Sequence, residues 1–231
     1  MNDAKRKNLT LEELREAIDQ TDQDLLTLLE RRYALTAQVA DSKQNSRIFR
    51  AGREADLIRR LVSMTSLDPL LVETIWRQII AFSLDHQKKL TIAMAGDGVE
   101  MSARFRFGAV ANYTFMDDAD AVMDAVAGGR ADIGILPHWD DVPHRDDDPH
   151  RDNKSWWQAL AQRRDRGEDV YITALTPLQD APSLNRIALL APFLPDASMH
   201  DITLVHDAIG VKPINGYAPA TPNLLGIIQQ P

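Results

Sequence analysis

The sequence predicts an all-α, three-helix domain over residues 1–89 followed by an α/β domain over residues 90–231. Three observations carry this division. Before Leu90 the apolar residues keep a four-three helical spacing, and no strand pattern appears. From Leu90 onward short apolar runs alternate with helical stretches, as in an α/β layer with partly parallel strands. The charge changes at the same place. Residues 1–89 hold 15 Lys+Arg against 14 Asp+Glu, net +1, and residues 90–231 hold 11 against 20, net -9, so the halves differ in kind.

The first helix is expected from Leu11 to Lys43. Thr10 with Glu13 three residues later forms a capping box, and Gln44-Asn45-Ser46 is turn chemistry that ends it. Its apolar stripe is Leu14, Ile18, Leu25, Leu28, Leu35 and Val39, with Thr21 and Arg32 filling the gaps. An arginine on such a seam needs an anion, because a guanidinium cannot shed its charge when water is removed. Arg15 lies beside the seam and Lys43 beyond its last apolar position, so one rod carries cations at both ends and within. At 1.5 Å per residue it would be roughly 50 Å long, more than a small domain covers by itself, so a partner chain or a long partner helix is expected. A second helix runs from about Gly52 to Met64 with Leu57, Leu61 and Met64 on one side. Asp68 caps and Pro69 opens a third, which carries Val72, Trp76, Ile80, Ser83 and Gln87 on one face.

In the second region LTIAMAG reads as a strand ending at Gly96, Val99 to Phe107 as a helix, and Asn112 to Met116 as a strand. Asp117 to Ala127 is a helix and Asp132 to Pro137 a strand. A polar loop covers Trp139 to Asn153, and Lys154 to Arg164 is helical. Val170 to Leu175, Asn185 to Ala191 and Asp201 to Val205 are further strands. The tail, with prolines at 213, 219, 222 and 231, carries no defined element. Of Trp156 and Trp157, one is expected in the core and the other partly exposed.

Composition narrows the chemistry. With no cysteine, disulfides, Cys-based zinc sites and thiol catalysis are excluded together. No apolar run approaches the roughly 20 residues needed to span a bilayer, and MNDAKRKNLT lacks the apolar stretch of a signal peptide, so a cytoplasmic protein with no membrane partner is expected. A net charge of -8 argues against a nucleic-acid partner. His138, His144 and His150 stand among many aspartates but lack the helical spacing of His ligand pairs, so a solvated acidic loop and no metal are expected.

The helical region gathers Arg15, Arg32, Lys43 and Arg53 as cations, with Glu54, Ser83 and Gln87 as hydrogen-bonding groups. Ser83 and Gln87, four apart, put two uncharged polar groups on an apolar wall. A ligand with two carboxylates suits such a set, since arginine pairs carboxylates bidentately and lysine supplies a point charge.

The pattern LREAIDQTDQDLLTLLERR, then Lys43, then Arg53-Glu54, then IIAFSLDHQ resembles the all-helical chorismate mutases, particularly the kind fused to prephenate dehydratase. The resemblance covers about residues 9–89. It implies an entwined homodimer, chorismate as substrate, no cofactor and a place in aromatic amino acid biosynthesis. Carried over by position, Arg15 and Arg32 hold the substrate carboxylates, with Arg15 reaching in from the other subunit. Lys43 and Gln87 bond the ether oxygen, Glu54 takes the ring hydroxyl, Ser83 assists a carboxylate and Arg53 buttresses the site. Two departures stand out: the connection from Lys43 to Arg53 is about two residues short, and Arg50 stands where the family carries an aspartate, from where it could pair with Glu54. Residues 90–231 faintly resemble part of the dehydratase itself, in GDGVEMSARFRFG, GGRADIGILPHWDD and SLNRIALLA. Asn185 stands where dehydratases carry a threonine, and the region is short for a full dehydratase, so a degenerate domain without dehydratase activity is expected. Two alternatives remain open on the residues: a non-catalytic binding or regulatory protein of the same pathway, and an isochorismate pyruvate lyase on the same fold.

Overall fold

The computed structural model describes residues 9–41, 49–139, 155–207 and 210–230. The chain divides into two compact units, 1–46 and 47–231. This division is not the one drawn at 89/90 from charge and periodicity, because the second and third helices are built into the same unit as the sheet.

The first unit holds α1 (Leu11–Asp41). Its start is the capping box: the Thr10 N–H donates to Glu13 Oε2 at 2.7 Å and the Glu13 N–H to Thr10 Oγ1 at 3.2 Å. The apolar stripe is present, and Leu14, Ile18, Leu25, Leu28 and Leu35 are each 45% to 60% exposed. Lys43 lies outside the described residues, as do His144, His150 and most of the polar loop.

The second unit opens with α2 (Ala51–Ser63) and α3 (Pro69–Gln87). Asp68 Oδ1 accepts from the Leu70 and Leu71 N–H groups at 2.8 and 3.1 Å, which starts α3 where Pro69 sets the first turn. An eight-stranded mixed sheet follows: β1 (Thr91–Met94), β2 (Asn112–Phe115), β3 (Ile133–Pro137), β4 (Tyr171–Thr176), β5 (Ile187–Ala191), β6 (Asp201–His206), β7 (Val211–Asn215) and β8 (Leu224–Gln229). Between the strands run α4 (Val99–Phe107), α5 (Ala119–Ala127) and α6 (Trp156–Asp165). The order across the sheet is β2-β1-β3-β5-β4-β8-β6-β7. β1 pairs in parallel with both β2 and β3, as does β4 with β8, while β5 and β6 run antiparallel to their neighbours.

Helices cover both faces, and strand alternation sorts the side chains between them. Ala93 packs with Val122 and Met123 of α5 and Trp156 and Leu160 of α6. Ile92 and Met94 pack on the opposite side with Ile80 and Leu84 of α3 and Ala103 and Phe107 of α4. α2 adds Ile58 against Leu178.

Two expectations are corrected. The proline-rich tail is structured: β8 is buried along its whole length and lies between β4 and β6, and β7 closes the sheet edge, where Pro213 costs no interior ladder bond. Trp156 and Trp157 are both core, at 6% and 8% exposure, and Trp156 Nε1 donates to the Pro137 carbonyl at 3.1 Å. Among the described residues no helix is long and apolar enough to cross a membrane. None of their His, Asp and Glu side chains form a group of three able to hold a metal ion.

The seat of α2 depends on a missing side chain. A Cβ at Gly52 would stand 2.4 Å from the Asp196 carbonyl oxygen, which is backbone and cannot swing aside. Gly52→Ala is expected to lower stability by roughly 1–3 kcal/mol in urea unfolding of the full chain. A loss within the noise of wild type would mean that α2 does not rest on this contact.

Candidate functional site

The predicted site residues fall into two groups. On α1, Arg15 is exposed, with Nη1 3.8 Å from Glu12 Oε2, and Arg32 is partly buried, where loss of water holds its pKa below the ordinary arginine value. In the second unit, Arg53 is exposed in the first turn of α2, while Glu54, the next residue, is buried. Ser83 is buried, and its hydroxyl donates to the Ile79 carbonyl at 2.7 Å. Gln87 is partly buried, with Nε2 donating to the Ser83 carbonyl at 3.1 Å. Both polar groups of the α3 wall therefore bond their own helix one turn back, which leaves the amide oxygen of Gln87 and the rest of its donor capacity for a ligand.

Glu54 sits in a buried charge cluster that sequence reasoning did not find. Its Oε2 lies 2.8 Å from Arg106 Nη2 on α4 and 3.5 Å from Arg77 Nη1 on α3. Arg77 in turn bonds Glu73 Oε1 through Nε at 3.1 Å and Nη2 at 3.0 Å. Glu73, fully buried, also accepts from the Leu178 N–H at 3.0 Å and the Gln179 N–H at 2.8 Å. Two carboxylates and two guanidinia thus tie α2, α3 and α4 to the turn after β4. Burial pushes the Glu54 carboxyl above the ordinary carboxylate range, opposed by Arg106 and by the Arg50 backbone N–H. Glu73 is pushed the same way by burial, opposed by the Gln179 and Leu178 N–H groups.

The side chain of Arg50, from which the sequence raised a pairing with Glu54, turns instead to Asp196. The readable signal for the cluster was Glu73 and Arg77, four apart beside Val72 and Ile80 on a helix face that must be buried. Arg106 has no such local signal, because its anion comes from a distant helix.

A second feature lies at the other end of α4. Gly98, Glu100, Met101, Arg104, Ser183 and Asn185 line an open groove of about 470 Å³. The Ser102 hydroxyl donates to the Asn185 carbonyl at 2.6 Å, which fixes the segment before β5 against α4. Asn185 is on the rim of this groove.

Residues 14–88 match the family model of chorismate mutase type II. A curated relative, the "Bifunctional chorismate mutase/prephenate dehydratase" of Aquifex aeolicus (strain VF5), is 29% identical over 138 residues, which are 55% of this chain and 38% of the relative. That stretch is longer than residues 1–89, so the likeness runs into the α/β part. The chain matches well under half of the relative's length. A solved structure named "GqqA- a novel type of quorum quenching acylases" is 14% identical, covering 61% of this chain and 95% of that chain, with a TM-score of 0.40.

Removing one partner from a buried ion cluster strands the other. Glu73→Ala is expected to cost about 3–5 kcal/mol, because it leaves Arg77 short of its main anion and two N–H groups without an acceptor. Urea unfolding of the full chain measures it, and a loss below about 1 kcal/mol would show that the cluster is not holding these elements together.

Proposed function

We propose that this chain, a member of the chorismate mutase family whose type II segment spans residues 14–88 and continues into a dehydratase-like part, rearranges chorismate to prephenate. The observation that carries the reading is the family match over the segment that holds every cation and polar group singled out by spacing, from Arg15 to Gln87.

The reaction breaks a carbon–oxygen bond and forms a carbon–carbon bond within one molecule, with no acid, base or nucleophile required. What a protein contributes is a compact conformer and donors where charge grows on the departing ether oxygen. Arg15 and Arg32 are assigned to the two carboxylates, with Arg53 behind them and Ser83 assisting. Lys43 and Gln87 are assigned to the ether oxygen, and Glu54 to the ring hydroxyl. A second copy of the chain is part of this reading. The exposed stripe of α1 supports it, as does the exposed row Leu71, Ile75 and Phe82 on α3, since apolar rows of that length are ordinarily covered.

Asn185 lacks the hydroxyl of the threonine it replaces, so the α/β part is assigned no dehydratase chemistry. Prephenate incubated with the full chain is expected to yield no phenylpyruvate above the spontaneous rate, and steady catalysed formation would refute that assignment.

The test of the main reading is loss of chorismate with matching appearance of prephenate. Lys43→Ala is expected to lower kcat/KM on the order of 100- to 1000-fold with dimer and fold intact. A normal rate would overturn the assignment. Because Gln87 is an amide that donates without being protonated, activity is expected to be flat across neutral pH. A steep loss between about pH 6 and 8 would count against Gln87 at the ether oxygen. Salicylate and pyruvate formed from isochorismate would instead identify a lyase.

A further inference from the structure

The carboxylate assigned to the substrate's ring hydroxyl is already engaged. Glu54 is 8% exposed, and its Oε2 faces Arg106 at 2.8 Å and Arg77 at 3.5 Å. The two guanidinia are not equivalent. Arg77 has a carboxylate of its own in Glu73, held by two nitrogens. Arg106 is 3% exposed and packs its Cζ 5.4 Å from the Phe49 ring centroid and 5.5 Å from that of Phe107. Its Nε and Nη1 are buried without a hydrogen-bond partner among the described residues; Glu54 is the anion it bonds, and the Glu73 charge also acts on it through space. A charge-assisted bond to guanidinium outweighs a bond from a neutral hydroxyl, so a ring hydroxyl does not displace Arg106 by that bond alone.

We propose that Arg106, on the first helix of the α/β part, is an internal competitor for Glu54, and that this contact weakens the site's hold on the substrate's ring hydroxyl. The proposal rests on the mutase reading and adds a control to it. α4 is placed for the role because its other end lines the groove of Gly98, Glu100, Met101 and Arg104 and is tied through Ser102 to Asn185. The α/β part then acts on the site through one nine-residue helix. Glu54 without Arg106 keeps Arg77 at hand, so its charge is not stranded in an Arg106 variant.

The experiment compares wild type, Arg106→Gln, Arg106→Lys and the double variant Arg106→Gln/Glu54→Gln, all as full-length protein. Steady-state kinetics on chorismate are read beside circular dichroism and dimer content. A hydroxyl bond is made in ground state and transition state alike, so its recovery appears in KM rather than kcat. Arg106→Gln is expected to lower KM about tenfold, the worth of one hydrogen bond to a charged group. Arg106→Lys, which restores a cation, is expected to return KM toward wild type, and Glu54→Gln in the Gln background to erase the gain. Should Arg106→Gln not fold, Arg106→Met, which fills the slot between Phe49 and Phe107, replaces it with the same expectation. KM unchanged or raised in the folded Arg106 variant, with wild type turning over chorismate, overturns the restraint and leaves the mutase reading intact. No turnover by wild type or variant overturns both.

Discussion

A helix of 31 residues with one greasy side is the constraint from which the rest follows. At 1.5 Å per residue α1 is about 47 Å long, and five aliphatic side chains on one stripe remain about half in water. Helix propensity contributes little to holding such an element; its stability comes from what covers the apolar side. The proposed cover is the corresponding surface of a second copy, which is also what brings Arg15 of one chain toward Arg32 and Lys43 of the other in the proposed site. On that proposal the ordering of α1, assembly and activity are one event.

The second unit stands differently. Its sheet is packed on both faces, and α2, α3 and α4 are joined by four charged side chains in a slot nearly closed to water. Buried ion clusters add little net stability over apolar packing, yet removing one member is costly, so they enforce one arrangement of the elements they join. Here that arrangement joins the second and third helices to a helix of the α/β part. The charge shift at residue 90 therefore marks a change in composition, while the physical boundary between compact units lies at residue 46.

Much of the local structure was legible because it rests on neighbours in sequence. The Thr10–Glu13 box, the Asp68-Pro69 start and the strands with runs such as IALLA were readable from spacing alone. β8 was missed because Pro219 and Pro222 precede LLGII and dominate its surroundings, although proline two residues before a strand removes no ladder bond from it. Glu54 could be chosen by its place in the family pattern, but its partners could not, since Arg77 and Arg106 reach it only through tertiary packing. The α3 face read as Val72, Trp76, Ile80, Ser83 and Gln87 is buried at Val72, Ile80 and Ser83, and it extends to Glu73 and Arg77, whose burial depends on their mutual pairing and on the N–H groups of Leu178 and Gln179. The proposed neighbours of Arg15 and Arg32 across a second chain cannot be written in one chain's pattern at all.

The most direct test of the account is specific mutase activity measured across protein concentration beside sedimentation of the same samples. If the cationic site is assembled from two copies, turnover per chain falls on dilution in step with the dimer fraction and returns on concentration. A monomer that converts chorismate at the full rate would contradict the account.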